Sequence, residues 1–411
     1  MKILFICHRL PYPPNRGGKI RPFNMIRHLS NRHSVVVASL AHTEQELKEG
    51  EGLHDYCDEV IAEVLPNSRR WGQAFCSLFT RTPSSVAYFR SDRLNARIRE
   101  RVRRTTFDLV VVHCAFVAQY VQHIEPYNTI MDFGDLDSGK WAEYARWRPF
   151  PGSLLYRMES EKLKLYERRI AQKVRHCTVT TEGEKDEFNR LGIHVPCTVI
   201  PNGVDLSYFV PRVIGNAKRS SIVFLGRMDY FPNIDGVTYF AKQILPIIRE
   251  GFPDVEFRIV GSSPSKAIRK LAELPNVVVT GHVPDVRTYV RDAAVSVAPL
   301  RIARGTQNKI LESMAMGIPV VATVQAAKGV QALAGRDLLV AETPAQFARH
   351  VIELLSNGSL RQRLAESARR QLEREHTWTS SLESFDATLT GAVGSDSCAS
   401  GDSYPVANRL S

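Results

Sequence analysis

The clearest chemical signal in the chain lies in the segment PLRIARGTQNKILESMAMGIPVVAT (299–323). A loop follows a predicted strand, and a helix is then predicted from about Thr306 to Met316. The start of a helix offers free backbone N–H groups and a partial positive charge, so it favours an anion. Lys309 adds a cation one turn into this helix. Glu312 is an acid in an otherwise apolar helix; paired ribose hydroxyls would satisfy it, and exposure or an ion pair with a nearby Arg is the alternative.

A second strand end, FLGR (224–227), combines a glycine with an arginine. Gly226 permits close approach of a ligand to the backbone. Arg227 projects from the carboxyl end of the predicted strand, where its guanidinium suits bidentate contact with a phosphate. A surface ion pair is the alternative for Arg227. Asn233 is predicted to cap the following helix.

The first half of the chain offers weaker candidates. Gly17 and Gly18 precede a predicted helix, where a phosphate or sugar could approach, although a plain turn explains them equally well. His113 ends a predicted strand and is either functional or structural. The aspartates of DFGDLDSGKW (132–141) lack the spacing of an EF-hand, so they predict a network at the domain interface rather than a metal site.

Basic charge is in excess and unevenly placed. The net charge is +11, residues 1–43 contain seven Lys or Arg and no acid, and residues 90–104 are rich in Arg. This balance favours phosphates, anionic lipid or nucleic acid. No nucleic-acid-binding motif accompanies it, so no nucleic acid partner is expected. The segment 69–79 sets four apolar residues on one helical face, which suits either an anionic membrane surface or the protein core: Trp71, Phe75, Leu78 and Phe79.

Alternating strand and helix patterns must position these residues. Short continuous apolar runs are typical of buried parallel strands, and they recur in both halves. In the first half they are residues 2–7, 34–40, 58–64, 108–114, 128–133 and 176–181. In the second half they are residues 220–226, 255–261, 276–281, 293–299 and 318–323. The sequence therefore predicts an α/β protein of two doubly wound, Rossmann-like domains, joined at 195–211 and facing each other across a cleft.

Composition excludes several classes of protein. With 44% hydrophobic and 24% charged residues, the chain is not collagen-like, a coiled coil or wholly disordered. Because no apolar run has the length of a membrane span or a signal sequence, a cytoplasmic protein is expected. Seven cysteines without a CxxC pair argue against a disulfide scaffold and structural zinc. The segment 394–411 is predicted to be a disordered tail.

Residues 1–390 resemble the family 4 glycosyltransferases, whose GT-B fold sets two Rossmann-like domains face to face. The matching motifs are the Gly17-Gly18 loop, VIPNGVD (199–205), FLGR (224–227), IVG (259–261) and GTQNKILESMAMGIPVVA (305–322). A closer likeness is to the subgroup encoded with exosortase (PEP-CTERM) systems and exopolysaccharide clusters. It is carried by PYPPNRGGKIR (11–21), DFGDLDSGKWAEYA (132–145) and RGTQNKILESMAMG (304–317).

This resemblance implies a retaining transfer of sugar from a nucleotide-sugar donor, without a metal or other cofactor. By analogy Glu312 binds the donor ribose, Arg227 and nearby backbone N–H groups hold the diphosphate, and His113 lies near the transferred sugar. The implied catalytic residues are His113, Arg227 and Lys309. The implied donor-binding residues are Gly17, Gly18, Gly226, Arg304, Gly305, Thr306, Gln307, Asn308, Ile310 and Glu312.

Two departures from the family pattern concern charge. Position 304, where the family has the first of two glutamates, is Arg304, and the usual Lys after FLGR is absent. Lys309 or Arg304 is expected to supply the missing positive charge, so Arg304→Glu is expected to weaken donor binding.

The expected organisation has an N-terminal acceptor-side domain (1–200), a C-terminal nucleotide-sugar-binding domain (201–375) and a helix (376–393) that crosses back to the first domain. The expected acceptor is lipid-linked or a polysaccharide intermediate, with the enzyme cytoplasmic or peripheral on an anionic inner-membrane surface. A nucleotide-sugar 2-epimerase on the same fold and a non-catalytic polyanion-binding module are the alternatives.

Overall fold

Two parallel sheets form the framework of the molecule in the computed structural model, which describes residues 1–121, 128–211 and 220–394. The predicted disordered tail lies, from residue 395 onwards, outside the described residues. The prediction of two doubly wound α/β domains is confirmed, because each sheet has the parallel strands and flanking helices of a Rossmann-like unit.

The N-terminal sheet has seven strands in the order β3-β2-β1-β4-β5-β6-β7. Its strands are apolar on both faces because helices cover both sides, and all five residues of the central strand β4 are buried. The strands are β1 Lys2–Cys7, β2 Ser34–Ala41, β3 Glu59–Val64, β4 Leu109–His113, β5 Thr129–Gly134, β6 His176–Val179 and β7 Cys197–Val199.

The C-terminal sheet has six strands in the order β10-β9-β8-β11-β12-β13. Both sheets change direction of winding beside their first strand, which leaves a crevice at the carboxyl ends of the central strands. The strands are β8 Ser221–Leu225, β9 Glu256–Val260, β10 Val277–Gly281, β11 Val295–Ala298, β12 Val320–Thr323 and β13 Leu339–Ala341.

Helices connect and cover the strands. Those of the first domain are α1 Gly17–Ser30, α2 Glu44–Glu49, α3 Asn67–Ser77, α4 Ser84–Tyr88, α5 Asp92–Arg104, α6 Asp137–Trp147, α7 Gly152–Ala171 and α8 Glu182–Arg190. Those that follow are α9 Phe231–Tyr239, α10 Leu245–Gly251, α11 Lys266–Lys270, α12 Arg287–Arg291, α13 Asn308–Ala315, α14 Val324–Ala327, α15 Pro344–Ser356, α16 Gly358–Glu375 and α17 Trp378–Gly394. A π-helical turn, Phe240–Ile244, joins α9 to α10, and single 3₁₀ turns occupy Gly50–Asp55, Ala115–Tyr120 and Leu271–Glu273.

The chain passes between the domains twice, and the two passages lie side by side. Val204 N–H donates to the carbonyl of His376 at 2.8 Å. A Cβ at Gly203 would lie 2.5 Å from the backbone nitrogen of Trp378, so only glycine allows this approach. After the second passage, α17 packs on the N-terminal sheet, where Phe385 is fully buried in the same cluster as Phe5.

None of the helices in the described part of the chain combines the length and the apolar character that a membrane crossing requires.

Candidate functional site

A cleft of about 1620 Å³ lies between the carboxyl ends of the two sheets and is lined by residues of both domains. Its C-terminal wall is formed by the ends of β8 and β9 and by α13. Its N-terminal wall is formed by the start of α1, the end of β4, and helices α3, α6 and α7. All but two of the sequence-predicted site residues line it; Gly305 and Ile310 do not.

Helix α13 presents Lys309 and Glu312 to the cleft, one turn apart. It begins at Asn308 rather than at the predicted Thr306, because Gln307 still has extended backbone angles. Burial raises the pKa of Glu312 to about 7, against the opposing influence of Lys309. Burial likewise lowers the pKa of Lys309 to about 7, against the opposing influence of Glu312. The two side chains are therefore poised for a ligand with both hydroxyl groups and negative charge.

Asn233 connects this helix to the end of β8. Its Oδ1 atom accepts from Lys309 Nζ at 2.5 Å, and its Nδ2 atom donates to the carbonyl of Arg227 at 2.8 Å. The predicted capping role for Asn233 is wrong, because α9 begins at Phe231 and Asn233 lies inside its first turn. Asn233 instead holds Lys309 in place, a role that local sequence gives no sign of.

Gly226 and Arg227, at the end of β8, form the edge of the C-terminal wall across from α13. A Cβ at Gly226 would lie 2.6 Å from Asn233 Nδ2 and 3.3 Å from Lys309 Nζ, so a larger residue would fill the space beside the lysine. Arg227 is exposed and pairs with Asp229, with Nε donating to Oδ1 at 3.0 Å. Arg227 thus adopts the predicted alternative, a surface ion pair, and it also lines the cleft.

The loop before α13 carries the remaining predicted donor residues. Thr306 lines the cleft, and its Oγ1 atom is buried without a hydrogen-bond partner in the described structure. Gln307 donates through Nε2 to the carbonyl of Arg304 at 2.9 Å, and Asn308 accepts from Asn202 of the domain junction at 3.3 Å. The side chain of Ile310 packs in the core of the C-terminal domain instead of facing the cleft.

Arg304 reaches across to the N-terminal domain. Its Nε atom donates to Glu184 Oε1 at 3.0 Å, and Nη2 lies 2.9 Å from the same oxygen. The guanidinium packs so closely against Gly139 that a Cβ there would lie 2.3 Å from Nη1. Burial and Asp135 raise the pKa of Glu184 to about 7, although Arg304 opposes that shift. The structure therefore places the guanidinium of Arg304 in an interdomain ion pair, which the sequence prediction of a donor contact did not include.

Asp135 is a second carboxylate of the N-terminal domain that lies beside the loop before α13. Gly305 has φ +60°, and a Cβ on it would lie 2.1 Å from Asp135 Oδ1, so the glycine lets the carboxylate approach the loop. Thr180 Oγ1 donates to the same oxygen at 2.5 Å. Asp137 pairs instead with Lys140 at 3.4 Å. Of these contacts, only the close approach of Asp135 to Gly305 joins the two domains, whereas the contacts with Thr180 and Lys140 lie within the N-terminal domain.

His113 sits at the end of β4, nearly buried, with its ring facing the cleft. Its Nδ1 atom lies 2.7 Å from Asp132 Oδ2. Burial opposes ionisation of Asp132, but Arg21 and His113 hold the pKa of that carboxyl well below its usual range. An ionised Asp132 favours a proton on Nδ1, which leaves Nε2 for the cleft.

Gly17 and Gly18 open α1 at the rim of the same wall. Among the described residues, apart from the chain neighbours and the backbone of α1, no atom lies within 4 Å of a Cβ built on Gly17, and the nearest to one on Gly18 is His8 Nε2 at 3.6 Å. The open space beside both glycines belongs to the cleft, so their small size leaves room there.

Among the described residues, no group of three or more His, Cys, Asp or Glu is arranged to hold a metal ion.

Two family models match the chain, one in each domain. Glycosyltransferase Family 4 matches residues 15–208, and Glycosyl transferases group 1 matches residues 219–357. No curated protein sequence matches the chain.

Solved structures share the architecture at low sequence identity. Sucrose-phosphate synthase from Thermosynechococcus elongatus has a TM-score of 0.70 at 14% identity, covering 96% of this chain and 100% of that one. Anabaena HepE, solved with UDP and with UDP-glucose, has a TM-score of 0.67 at 13% identity, covering 95% and 100%. A glycosyltransferase from Rickettsia africae has a TM-score of 0.65 at 13% identity, covering 95% and 98%. The structural likeness over both domains shows the GT-B fold. Because the two family models together span most of the chain, the protein belongs to the glycosyltransferases of the family 4 type.

Proposed function

We propose that the protein transfers a sugar, with retention of its anomeric configuration, from a nucleotide-sugar donor to a lipid-linked or polysaccharide acceptor in exopolysaccharide biosynthesis. The observation that carries the proposal is the placement of Glu312 and Lys309 on one face of α13, beside Arg227 at the lip of the cleft. This arrangement offers an acceptor for ribose hydroxyls and two cations for a diphosphate.

The donor would bind mainly to the C-terminal wall. Glu312 has no hydrogen-bond donor among the described residues, so its carboxylate is available to the two ribose hydroxyls. Lys309 and the first N–H groups of α13 face the expected position of the diphosphate. Arg227 would exchange Asp229 for a phosphate, since both partners are anionic and Arg227 is exposed. The complexes of HepE with UDP and UDP-glucose support a uridine nucleotide as the first donor to test.

The chemistry follows from the charge that develops on the leaving group. The bond between the sugar C1 atom and the diphosphate oxygen breaks, a bond between C1 and an acceptor oxygen forms, and the acceptor proton passes to the released diphosphate. Preorganised positive groups stabilise that departing charge without any metal. His113, oriented by Asp132, would contact the sugar through Nε2. Retention of configuration rests on the resemblance to family 4.

The N-terminal wall would hold the acceptor. Its lining combines the aromatic residues Trp71, Tyr88, Phe89 and Phe116 with cations, among them Arg9 and Arg16. A lipid-linked acceptor fits such a wall because its chain is apolar and its phosphate is anionic. Likeness to the exosortase-associated subgroup supports the assignment to exopolysaccharide assembly, with the enzyme at the cytoplasmic side of the inner membrane.

Thermal unfolding with UDP, GDP, ADP and their sugars tests the donor site. A ligand present at 100 times its Kd should stabilise the protein by about 2.7 kcal/mol, and Glu312→Ala should abolish the stabilisation by the cognate nucleotide. Glu250→Ala is the matched control, because Glu250 is an exposed glutamate on α10. Absence of a shift with every nucleotide, or an equal shift in Glu312→Ala, contradicts the proposal.

Product analysis separates transfer from the alternative epimerase reaction. Transfer releases a free nucleoside diphosphate and a glycosylated acceptor, whereas a 2-epimerase returns an altered donor sugar without needing an acceptor. The anomeric configuration of the new linkage, read by nuclear magnetic resonance, tests retention.

A further inference from the structure

An unusually apolar surface covers one side of the N-terminal domain. Nine of the fifteen large apolar side chains that are exposed in the described part of the chain belong to two short stretches, 71–79 and 147–165. They are Trp71, Phe75, Phe79, Trp147, Phe150, Leu154, Leu155, Met158 and Leu165. Single exposed apolar residues are common, but such a concentration marks an interaction surface.

Helix α3 turns its aromatic side outwards. Trp71 is 67% exposed and Phe75 63%, and Phe79 just beyond the helix is 82% exposed. The opposite side of the helix is buried and includes Arg70, whose guanidinium donates to the carbonyls of Leu65 and Ala41. Three of the four residues of the predicted stripe are therefore exposed and Leu78 is half-buried, so the stripe as a whole does not pack in the core.

Helices α3 and α7 present one continuous surface. Lys162 Nζ donates to the carbonyls of Ser77 and Leu78 at 3.0 and 3.1 Å, which fixes α7 beside the end of α3. Leu154, Met158 and Leu165 follow the same stripe of α7 as Lys162 at helical spacing. The exposed side chains of the two helices therefore act together, and they define what we call the α3–α7 face.

Positive charge surrounds this face. In segments 67–82 and 146–168 one exposed residue is acidic, Glu161, whereas seven are basic. The basic residues are Arg69, Arg81, Arg146, Arg148, Arg157, Lys164 and Arg168. The Arg-rich helix α5 contributes less, because Arg93 and Arg97 pair with Glu63, and Arg101 pairs with Glu59. In the border itself, Arg69 lies 3.8 Å from Asp92 at the start of α5. Apolar and aromatic side chains within a cationic border complement an anionic lipid surface.

The α3–α7 face is continuous with the cleft. Trp71 and Leu155 are both exposed on the face and part of the cleft lining, and the apolar wall continues inwards through Phe116 to His113. A symmetric pairing of two copies through this face would bring the two cationic borders together, which disfavours a second copy as its occupant.

We propose that the α3–α7 face docks on an anionic lipid bilayer and turns the mouth of the cleft towards an acceptor held in that bilayer. The second part of this inference rests on the proposed function, since it assigns the acceptor of the same site. Docking itself needs only the exposed side chains and their charges.

Flotation with lipid vesicles tests the docking. Wild-type protein should bind vesicles that contain phosphatidylglycerol, bind phosphatidylcholine vesicles less, and lose affinity as salt increases. The double variant Phe75→Ser with Phe79→Ser should bind the phosphatidylglycerol vesicles at least about tenfold more weakly than the wild type does. The matched control, Val278→Ser with Leu333→Ser, also replaces two exposed apolar residues, which lie in the C-terminal domain, and should bind as the wild type does.

Other results would overturn the proposal. Equal binding to both vesicle types removes the role of the cationic border, and equal loss in the control variant removes the role of the face. A wild-type dimer that the double variant dissociates, without vesicle binding, assigns the face to a second copy. Nucleotide-dependent thermal shifts on the same samples keep the two proposals apart: a UDP shift without vesicle binding rejects docking alone, whereas vesicle binding without any nucleotide shift rejects the donor site alone.

Discussion

His113 is held by its Nδ1 atom, so the chemistry available to it is that of Nε2. Asp132, which holds the ring, is itself fixed by two donors to its Oδ1 atom. Arg21 Nη2 donates at 2.8 Å and Thr178 Oγ1 at 2.7 Å. The network supports a single ring orientation, and it spans four elements, α1, β4, β5 and β6. A side chain positioned so firmly at the edge of a cleft is preorganised for contact with a ligand.

His113→Ala should therefore separate catalysis from nucleotide binding. We expect kcat to fall about 100-fold, because loss of one preorganised polar contact to the transition state costs about that much, while the Kd for the free nucleoside diphosphate stays within about twofold. Steady-state kinetics and calorimetric titration measure the two quantities. His176→Ala is the control, since that histidine is half-buried on the same sheet and bonds to Thr198. A loss of nucleotide affinity in His113→Ala would move the histidine into the nucleotide site.

At the scale of elements, the loop before α13 carries a cation where the family pattern has an acid, and α8 supplies the matching acid. Arg304 and Glu184 are far apart in sequence but form a largely buried ion pair between the domains. Asp135 adds another carboxylate at Gly305. Reversal of the charge at position 304 is thus accompanied by acids on the facing domain.

Because Arg304 pairs with Glu184, the loss of stability caused by Arg304→Met should depend on pH. Burial and Asp135 raise the pKa of Glu184 to about 7 in the folded protein, so folding binds a proton between about pH 4.5 and 7 and the contribution of Glu184 to stability falls as pH rises through that window. Without Arg304, ionised Glu184 loses its ion-pair partner. We expect a deficit of about 1 to 3 kcal/mol at pH 8.5 and a smaller one at pH 5.5, where Glu184 is protonated.

Denaturant unfolding at the two pH values measures that deficit. Arg301→Met serves as the control, because Arg301 lies in the same loop but pairs with Asp235 inside the C-terminal domain. A deficit in Arg304→Met that does not change with pH would show that the pair with Glu184 does not govern the effect.

Local sequence predicted part of the site and eleven of the thirteen strands in the described part of the chain; β7 and β13 were missed because each has only three residues, too few to form an apolar run. The continuous apolar runs predicted the buried strands, and the acid in an apolar helix singled out Glu312, which does face the cleft. Glu184 was not found, because it lies three residues after Thr181, whose hydroxyl accepts from its N–H, and so has the spacing of an ordinary helix cap. Nor can helical periodicity tell which side of α3 has neighbours, since only the folded chain shows that Arg70 is the buried residue.

On the scale of the whole molecule, the last helix belongs to the first domain. The buried residues Leu382, Phe385 and Leu389 of α17 share a cluster with Ile3 and the inner side of α1, and His28 Nε2 lies 2.8 Å from Asp386. The chain thus closes on itself, and the two passages between the domains lie against each other.

Phe385→Ala should weaken the N-terminal domain selectively. Loss of a fully buried phenylalanine costs about 3 to 5 kcal/mol, and the cavity would open beneath the N-terminal sheet. Calorimetry should show a lower melting temperature, while nucleotide binding at α13 persists below it. Leu333→Ala, which truncates a side chain that is 57% exposed, should change the melting temperature little. Loss of nucleotide binding in folded Phe385→Ala would show that the domains are not independent in this respect.

The position of α17 also has a consequence for synthesis of the protein. The N-terminal sheet is complete once Val199 has left the ribosome, but α17 starts only at Trp378. At common rates of translation this delay is about 10 to 40 s, during which part of an apolar face around Ile3 and Phe5 has no cover from its own helix. Ribosome-bound chains that end before Trp378 should therefore be cut faster by protease, or held by chaperones more, than chains released at full length; equal susceptibility would mean that the first domain closes without α17.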